Sequence, residues 1–212
     1  MTSSIDKIRH LEDKKEEIIN LVGKEVYYLA LSKEKMIQEN SRIDLGKLFA
    51  NPNEFIQADW INETTNLNVK RRDADDGSNN GDGYDLITTD HVFTIQSKLR
   101  VKQMHLECTR RLNEGGKNDH AANDTGSVRY KVDEADVFIF SKPLGFNGEA
   151  EISNYVDVDK WEFITIPAAV LEDPKTPGYC YAKVPKSVWG QYAGRAVEVL
   201  ESEYLKKIGI NE

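Results

Sequence analysis

The chain has only two cysteines, Cys108 and Cys180, among its 212 residues. Two thiols are too few for a disulfide scaffold or a cysteine-rich zinc cluster, and we predict that both stay reduced. No apolar run approaches the roughly 18 residues that a membrane helix needs. The polar start, Met1 to His10, lacks the apolar stretch of a signal peptide. We therefore expect an intracellular, cytoplasmic protein that has no membrane partner.

Several signatures of common enzyme classes are missing as well. No GxGxxG pattern, Walker lysine loop or HExxH pattern occurs, which disfavours dinucleotide, nucleotide and zinc-protease functions. The histidines have no Ser or Cys partner motif, so the sequence does not support triad chemistry. The acidic stretch 73–83 lacks the spacing and the final Glu of an EF-hand, and we interpret it as a solvated loop.

Charge is plentiful but unevenly distributed. The chain is 39% hydrophobic and 30% charged, with a net charge of −8, which is typical of a folded domain with its own core. The segment from Lys98 to Lys131 contains eight basic and four acidic residues, a local charge of +4, and the rest of the chain carries −12. Because phosphate groups respond to the local field, this acidic protein remains compatible with a nucleic-acid partner.

Hydrophobic periodicity predicts the order of the elements. Apolar residues recur at helical spacing through residues 1–47, which predicts a helical N-terminal arm capped at Ser3 or Ser4, with a break at Gly23. The rest, 48–212, is predicted to form an α/β domain in one compact unit with the arm. Its pattern predicts a helix over 53–63, strands over 66–71, 84–88 and 92–98, a helix over 101–112, a loop over 113–127, strands over 135–140 and 161–166, and a closing helix from about Val188 to Gly209. This order favours a mixed central β-sheet flanked by helices.

Three polar residues stand at matching ends of the hairpin predicted over 84–98. Asp85 opens the first strand, and Gln96 and Lys98 close the second, where residues two apart share a face. We expect a carboxylate, an amide oxygen and an ammonium to converge there. Oxygen ligands suit Mg²⁺, and a neighbouring lysine can position or deprotonate an attacking water or neutralise a phosphate. The alternative is an ordinary solvated hairpin, on which such residues are common.

The segments Gly-Tyr-Asp-Leu and Ile-Gln-Ser-Lys, at 83–86 and 95–98, resemble the PD-(D/E)xK nuclease superfamily in its Mrr-type restriction endonuclease variant, where Gln replaces the second acid. The resemblance covers about 53–140 and implies a restriction endonuclease-like αβββαβ core. It implies that Asp85, Gln96 and Lys98 are catalytic and that Asp85 and Gln96 bind the metal.

This family often adds a metal-binding glutamate from the helix before the hairpin. Glu54 is the candidate by position and Glu63 is the second choice, while Gln57 could also occupy that place. Basic residues around the predicted site are candidates for DNA contacts: Lys70, Arg71, Arg72, Arg100, Lys102, Arg110, Arg111 and Lys117. Solvated strand ends and helix faces remain the alternative for these charges.

The resemblance implies a Mg²⁺-dependent DNA endonuclease, most simply a type II restriction enzyme of a prokaryote that cuts double-stranded DNA at a specific site without a nucleotide cofactor. An enzyme that cuts both strands of a symmetric site is most simply a homodimer. Two alternatives stay open. One is a non-catalytic DNA- or protein-binding module with a nuclease-like fold, and the other is a structure-specific nuclease of repair or recombination.

Overall fold

The structure is a computed structural model and describes residues 3–38, 52–72, 84–99, 106–111, 127–143 and 161–210. Several predictions fall outside these residues: the loop over 73–83, most of the helix over 101–112 and most of the loop over 113–127. Among the candidate DNA contacts, Arg100, Lys102, Lys117 and the side chains of Arg110 and Arg111 also lie outside them.

The N-terminal arm is helical, as predicted. It consists of α1 (Ser4–Asp13), α2 (Lys15–Val22) and α3 (Lys24–Gln38). Ser3 caps α1 in a capping box: the Asp6 amide donates to Ser3 Oγ at 3.1 Å, and the Ser3 amide donates to Asp6 Oδ2 at 3.2 Å. The helical path is interrupted at Gly23, whose φ of +87° is disfavoured for residues with a side chain. Both the cap and the break are therefore confirmed.

The remaining elements follow in chain order. They are α4 (Asn53–Thr64), β1 (Val69–Arg71), β2 (Leu86–Thr88), β3 (Thr94–Leu99), β4 (Thr109–Arg111), β5 (Ser127–Arg129), β6 (Val137–Pro143), β7 (Trp161–Pro167), a 3₁₀ turn (Ala168–Leu171), β8 (Glu172–Asp173), β9 (Thr176–Cys180), α5 (Lys186–Trp189) and α6 (Ala196–Lys207). No helix within the described ranges is long and apolar enough to cross a membrane.

Five strands form the central sheet in the order β1-β2-β3-β6-β7. The β3–β6 pair is parallel and the other neighbours are antiparallel, so the sheet is mixed. A parallel pair requires a crossover, and here the chain between β3 and β6 contributes the separate β4–β5 ribbon. The prediction of an α/β fold with a mixed sheet and helices is confirmed.

Two predictions about helices are wrong. Residues 109–111, predicted to be helical, form β4, and Ser127, predicted to end a loop, begins its partner β5. Pairing across a crossover depends on a distant segment, which local periodicity cannot show. The closing helix is also divided into α5 and α6, because residues 190–195 form a turn in which Gly194 has a φ of +73°.

Both faces of the sheet are buried. Along β6, Val137 and Ile139 pack towards α4 and the N-terminal helices, while Phe138 and Phe140 pack into a second cluster on the opposite face. That second cluster also contains Tyr130 and residues from the segments around β4 and β9. A strand buried on both faces reads as a continuous apolar run, which is why 135–140 stands out in the sequence.

The two cysteines are free and fully buried in the second cluster, as predicted for reduced thiols. Tyr130 separates them: its amide donates to the Cys108 carbonyl at 3.0 Å, and its carbonyl accepts from the Cys180 amide at 2.9 Å. Two strand spacings amount to about 9–10 Å, more than the roughly 7 Å between Cα atoms that a disulfide can bridge. The geometry therefore keeps the thiols apart.

Candidate active site

The predicted hairpin is present and brings Asp85 beside Gln96. Strands β2 and β3 pair with Leu86 opposite Ile95, and the Asp85 amide donates to the Ile95 carbonyl at 3.0 Å. Oδ2 of Asp85 accepts two hydrogen bonds: one from the Ser97 backbone amide at 2.9 Å, and one from the side-chain nitrogen of Gln96. The carboxylate is thus fixed against the strand that carries the Gln-Ser-Lys sequence.

Gln96 is almost fully buried, and its amide nitrogen also donates to the Ser97 carbonyl at 3.1 Å. Its nitrogen contacts Asp85, whereas a metal ligand would have to be the amide oxygen. Rotation of the amide by half a turn about its last side-chain bond exchanges the two atoms, and their assignment follows from the hydrogen bonds around them. Both hydrogen bonds place the nitrogen at this position, so binding of a metal by Gln96 would require the amide to turn over.

Lys98 lies two residues beyond Gln96 and is held by an aromatic side chain that sequence reasoning did not identify. Its Nζ donates to the Tyr130 hydroxyl at 2.6 Å and lies 4.2 Å from the centre of the same ring. Tyr130 is buried and directly follows β5. No local pattern links it to Lys98, because the two residues are 32 positions apart and only the crossover brings them together.

Glu54 is the glutamate that joins the site. It lies in the first turn of α4, and its Oε1 is 2.5 Å from the Nζ of Lys35, a buried residue of α3. Glu63, the second choice, is exposed and lies 3.9 Å from Lys15. Gln57 is fully buried and donates to the Ser141 hydroxyl at 2.8 Å.

The two carboxylates of the site influence each other. Burial and, to a smaller extent, the negative charge of Glu54 raise the pKa of Asp85 to about 6, although the ammonium groups of Lys98 and Lys35 and the hydrogen bond from the Ser97 amide act in the opposite direction. Two carboxylates that repel each other in a buried place are stabilised by nearby positive charge, which Lys35 and Lys98 supply here. Two carboxylates and an amide oxygen are the kind of ligand that could hold a small divalent cation.

A buried polar network fixes these elements relative to one another. The Asn53 amide nitrogen donates to Ser97 Oγ at 2.6 Å, and Ser141 Oγ donates to Asn53 Oδ1 at 2.8 Å. Through Asn53, the helix that carries Glu54 is joined to β3 and β6. Buried polar groups are costly when unpaired, so such a network favours one position of the helix. The sequence signal for this network was the presence of Ser97 and Ser141 in the strands β3 and β6.

Three basic residues lie at the end of β1: Lys70 and Arg71 in the strand, and Arg72 directly after it. The Arg72 amide donates to the Asp85 carbonyl at 3.0 Å, and its guanidinium lies 4.8 Å from the centre of the Tyr84 ring. Arg71 lies 5.0 Å from the centre of the Phe55 ring, and Lys70 is exposed. Arg110 and Arg111 are on β4, paired with β5, the strand that Tyr130 follows. Among the candidate phosphate contacts, Arg72 is therefore the one that the structure joins directly to Asp85, through the backbone.

Among the described residues, no group of three or more His, Cys, Asp or Glu side chains is arranged to hold a metal ion. Mg²⁺ does not need such a group, since it keeps several waters and binds through one or two carboxylates together with substrate phosphates. Comparison with known proteins adds nothing to this assignment: no family model, no curated protein and no solved structure matches the chain. The site rests on its own geometry.

The raised pKa of Asp85 predicts how stability depends on pH. The folded protein binds this proton more tightly than the unfolded chain, whose pKa is near 3.8. The contribution of this group to stability is therefore complete below about pH 4 and is lost as the pH rises through about 6. We expect Asp85→Asn to be more stable than the wild type by about 3 kcal/mol at pH 7, with the difference becoming small towards pH 4.

Urea denaturation of both proteins between pH 4 and pH 8, without divalent cations, measures this difference. Because only the change between the two proteins is compared, other titrating groups cancel. A difference that stays constant over the whole range would show that the carboxylate of Asp85 carries no excess proton affinity.

Proposed function

We propose that the protein is a Mg²⁺-dependent DNA endonuclease of the restriction type, acting on double-stranded DNA as a homodimer. The observation that carries the proposal is the convergence of Asp85, Gln96 and Glu54, with Lys98 beside them, on one end of a hairpin in a mixed sheet. The helix α4 before the hairpin and the parallel β3–β6 pair are compatible with an αβββαβ core, but residues 106–111, where the second helix of that core was expected, are not helical.

Asp85 and Glu54 would hold the metal, with Gln96 as a further oxygen ligand. A bound Mg²⁺ supplies Lewis acidity and lowers the pKa of water. The chain's own contribution is position: the Ser97 amide fixes the Asp85 carboxylate, and the network through Asn53 fixes the helix of Glu54. Lys98 presents its ammonium on the same face of β3 as Gln96, where it can orient a water or neutralise a phosphate oxygen.

DNA would approach across the β1 side of the site. Arg72, the residue after β1, is joined through its backbone to Asp85, so a phosphate bound by Arg72 would lie close to that carboxylate. Such contacts position the duplex without reading its sequence.

The direct test is incubation of the purified protein with Mg²⁺ and DNAs of varied sequence and methylation, followed by sequencing of the ends. We expect discrete cuts that require Mg²⁺. Linear duplexes and four-way junctions should be compared in the same assay, because preference for the junction would favour a repair or recombination nuclease. DNA that stays intact in every combination would contradict the proposed activity.

One observation favours a second candidate, a non-catalytic DNA- or protein-binding module. The charges of the site are already matched within the protein, since Glu54 pairs with Lys35 and the ammonium of Lys98 acts on the Asp85 carboxylate. Calorimetry separates the two functions. DNA binding without any binding of Mg²⁺ or Mn²⁺ would favour the module.

The contact between Tyr130 and Lys98 gives a further prediction. Tyr130→Phe keeps the ring under the ammonium but removes the hydroxyl that fixes Nζ, so we expect cleavage to slow by about tenfold with DNA affinity unchanged. Single-turnover cleavage and gel shifts measure the two effects. Tyr181→Phe, in the same hydrophobic cluster, is the control. Equal rates for Tyr130→Phe and the wild type would show that the hydroxyl does not position the lysine.

A further inference from the structure

Lys35, in the helix α3 of the N-terminal arm, reaches the candidate active site. Its side chain is only 7% exposed, and its Nζ lies 2.5 Å from Glu54 Oε1. Its positive charge also acts on Asp85, where it lowers the pKa. The arm thus contributes a buried ammonium that contacts Glu54 and acts electrostatically on Asp85.

The charges of the cluster balance without any metal. Two negative charges, on Glu54 and Asp85, are matched by the ammonium groups of Lys35 and Lys98. A divalent cation bound to the carboxylates adds two positive charges, and repulsion from a nearby buried ammonium is strong because solvent screens it poorly. Lys35 and a divalent cation therefore compete for the same oxygen atoms.

The partners of this ion pair differ in freedom of movement. Glu54 is carried by a helix whose first residue, Asn53, is held by hydrogen bonds to Ser97 and Ser141. The ammonium of Lys35 lies at the end of a flexible four-carbon side chain, so it can move while the backbone stays in place. When a cation binds, the lysine is the partner that can leave.

We propose that Lys35 is a resident counter-ion of the Glu54–Asp85 pair, which a divalent cation displaces and which then contacts a phosphate of the bound DNA. The inference rests on the proposed function for the identity of the phosphate ligand. A counter-ion of this kind makes the affinity for the cation weak in the free protein. The affinity rises when DNA is bound, because the displaced ammonium of Lys35 then has an anionic partner.

Titration calorimetry of the full chain with Mg²⁺, in the absence of DNA, tests this role. Lys35→Met removes the charge with little change of volume, and we expect it to bind Mg²⁺ at least about tenfold more tightly than the wild type. Lys35→Arg keeps the charge and should stay within about threefold of the wild type. Lys7→Met is the matched control. Lys7 pairs at 3.4 Å with Glu34, the residue before Lys35 in α3, but the side chain of Lys7 is exposed.

The outcomes separate this role from the proposed function. Tighter Mg²⁺ binding by Lys35→Met, but not by Lys35→Arg or Lys7→Met, supports the counter-ion role. Equal or weaker Mg²⁺ binding by Lys35→Met overturns that role, because a lysine that merely positions Glu54 would strengthen the metal site. Absence of Mg²⁺ binding by both proteins also overturns it. DNA cleavage by the wild type is measured separately and decides the proposed function. If Lys35→Met does not fold, Lys35→Gln replaces it, since its amide can still donate to Glu54.

Discussion

Replacing Lys98 by alanine is expected to reduce DNA cleavage by at least about 10²-fold while DNA binding persists. The ammonium of Lys98 lies on the face of β3 that carries Gln96, and the Tyr130 hydroxyl holds it there at 2.6 Å. The substitution therefore removes a group that would act on the water or the phosphate. Affinity for DNA is distributed over many phosphate contacts, so the loss of one charge changes it little.

Cleavage rates in Mg²⁺ and gel shifts in Ca²⁺ measure the two quantities independently. Lys183→Ala removes an exposed lysine from the loop after β9 and should leave both unchanged. Cutting by Lys98→Ala at nearly the rate of the wild type would place the active site elsewhere, and the hairpin would then be an ordinary structural element.

Replacing Asp85 by asparagine is expected to reduce cleavage by about 10²–10³-fold and to abolish stabilisation of the protein by Mg²⁺. Asparagine can still accept a hydrogen bond from the Ser97 amide, so the local structure is retained. The negative charge that would bind the cation is lost. Without a cation the variant is more stable than the wild type at neutral pH, and with Mg²⁺ the difference should shrink as the wild type alone gains stability.

Thermal unfolding of both proteins with and without Mg²⁺ checks the second effect, and cleavage assays check the first. Asp133→Asn changes an exposed aspartate in the turn before β6 and is the matched control. Equal stabilisation of Asp85→Asn and the wild type by Mg²⁺ would show that the cation binds without this carboxylate.

The short hairpin was predictable because its signals are local. Alternating apolar residues predict each strand, and a short turn between them fixes the approximate register. The positions of Asp85 and Gln96 at matching ends follow from that register, and the structure brings the two side chains into contact. The choice between Glu54 and Glu63 was less certain, because it depends on how α4 lies on the sheet.

By itself, the sequence determined the strands around 84–98, the buried strand of β6, the helical arm and the proximity of Asp85 to Gln96, all of which depend on periodicity or short separations in the chain. Only the tertiary structure decided that Lys35 faces Glu54 and that Tyr130 holds Lys98, contacts that span 19 and 32 positions. It also decided that residues 109–111 pair as a strand. Such contacts depend on how elements pack across the sheet, and local patterns of hydrophobicity carry no information about which distant side chains will meet.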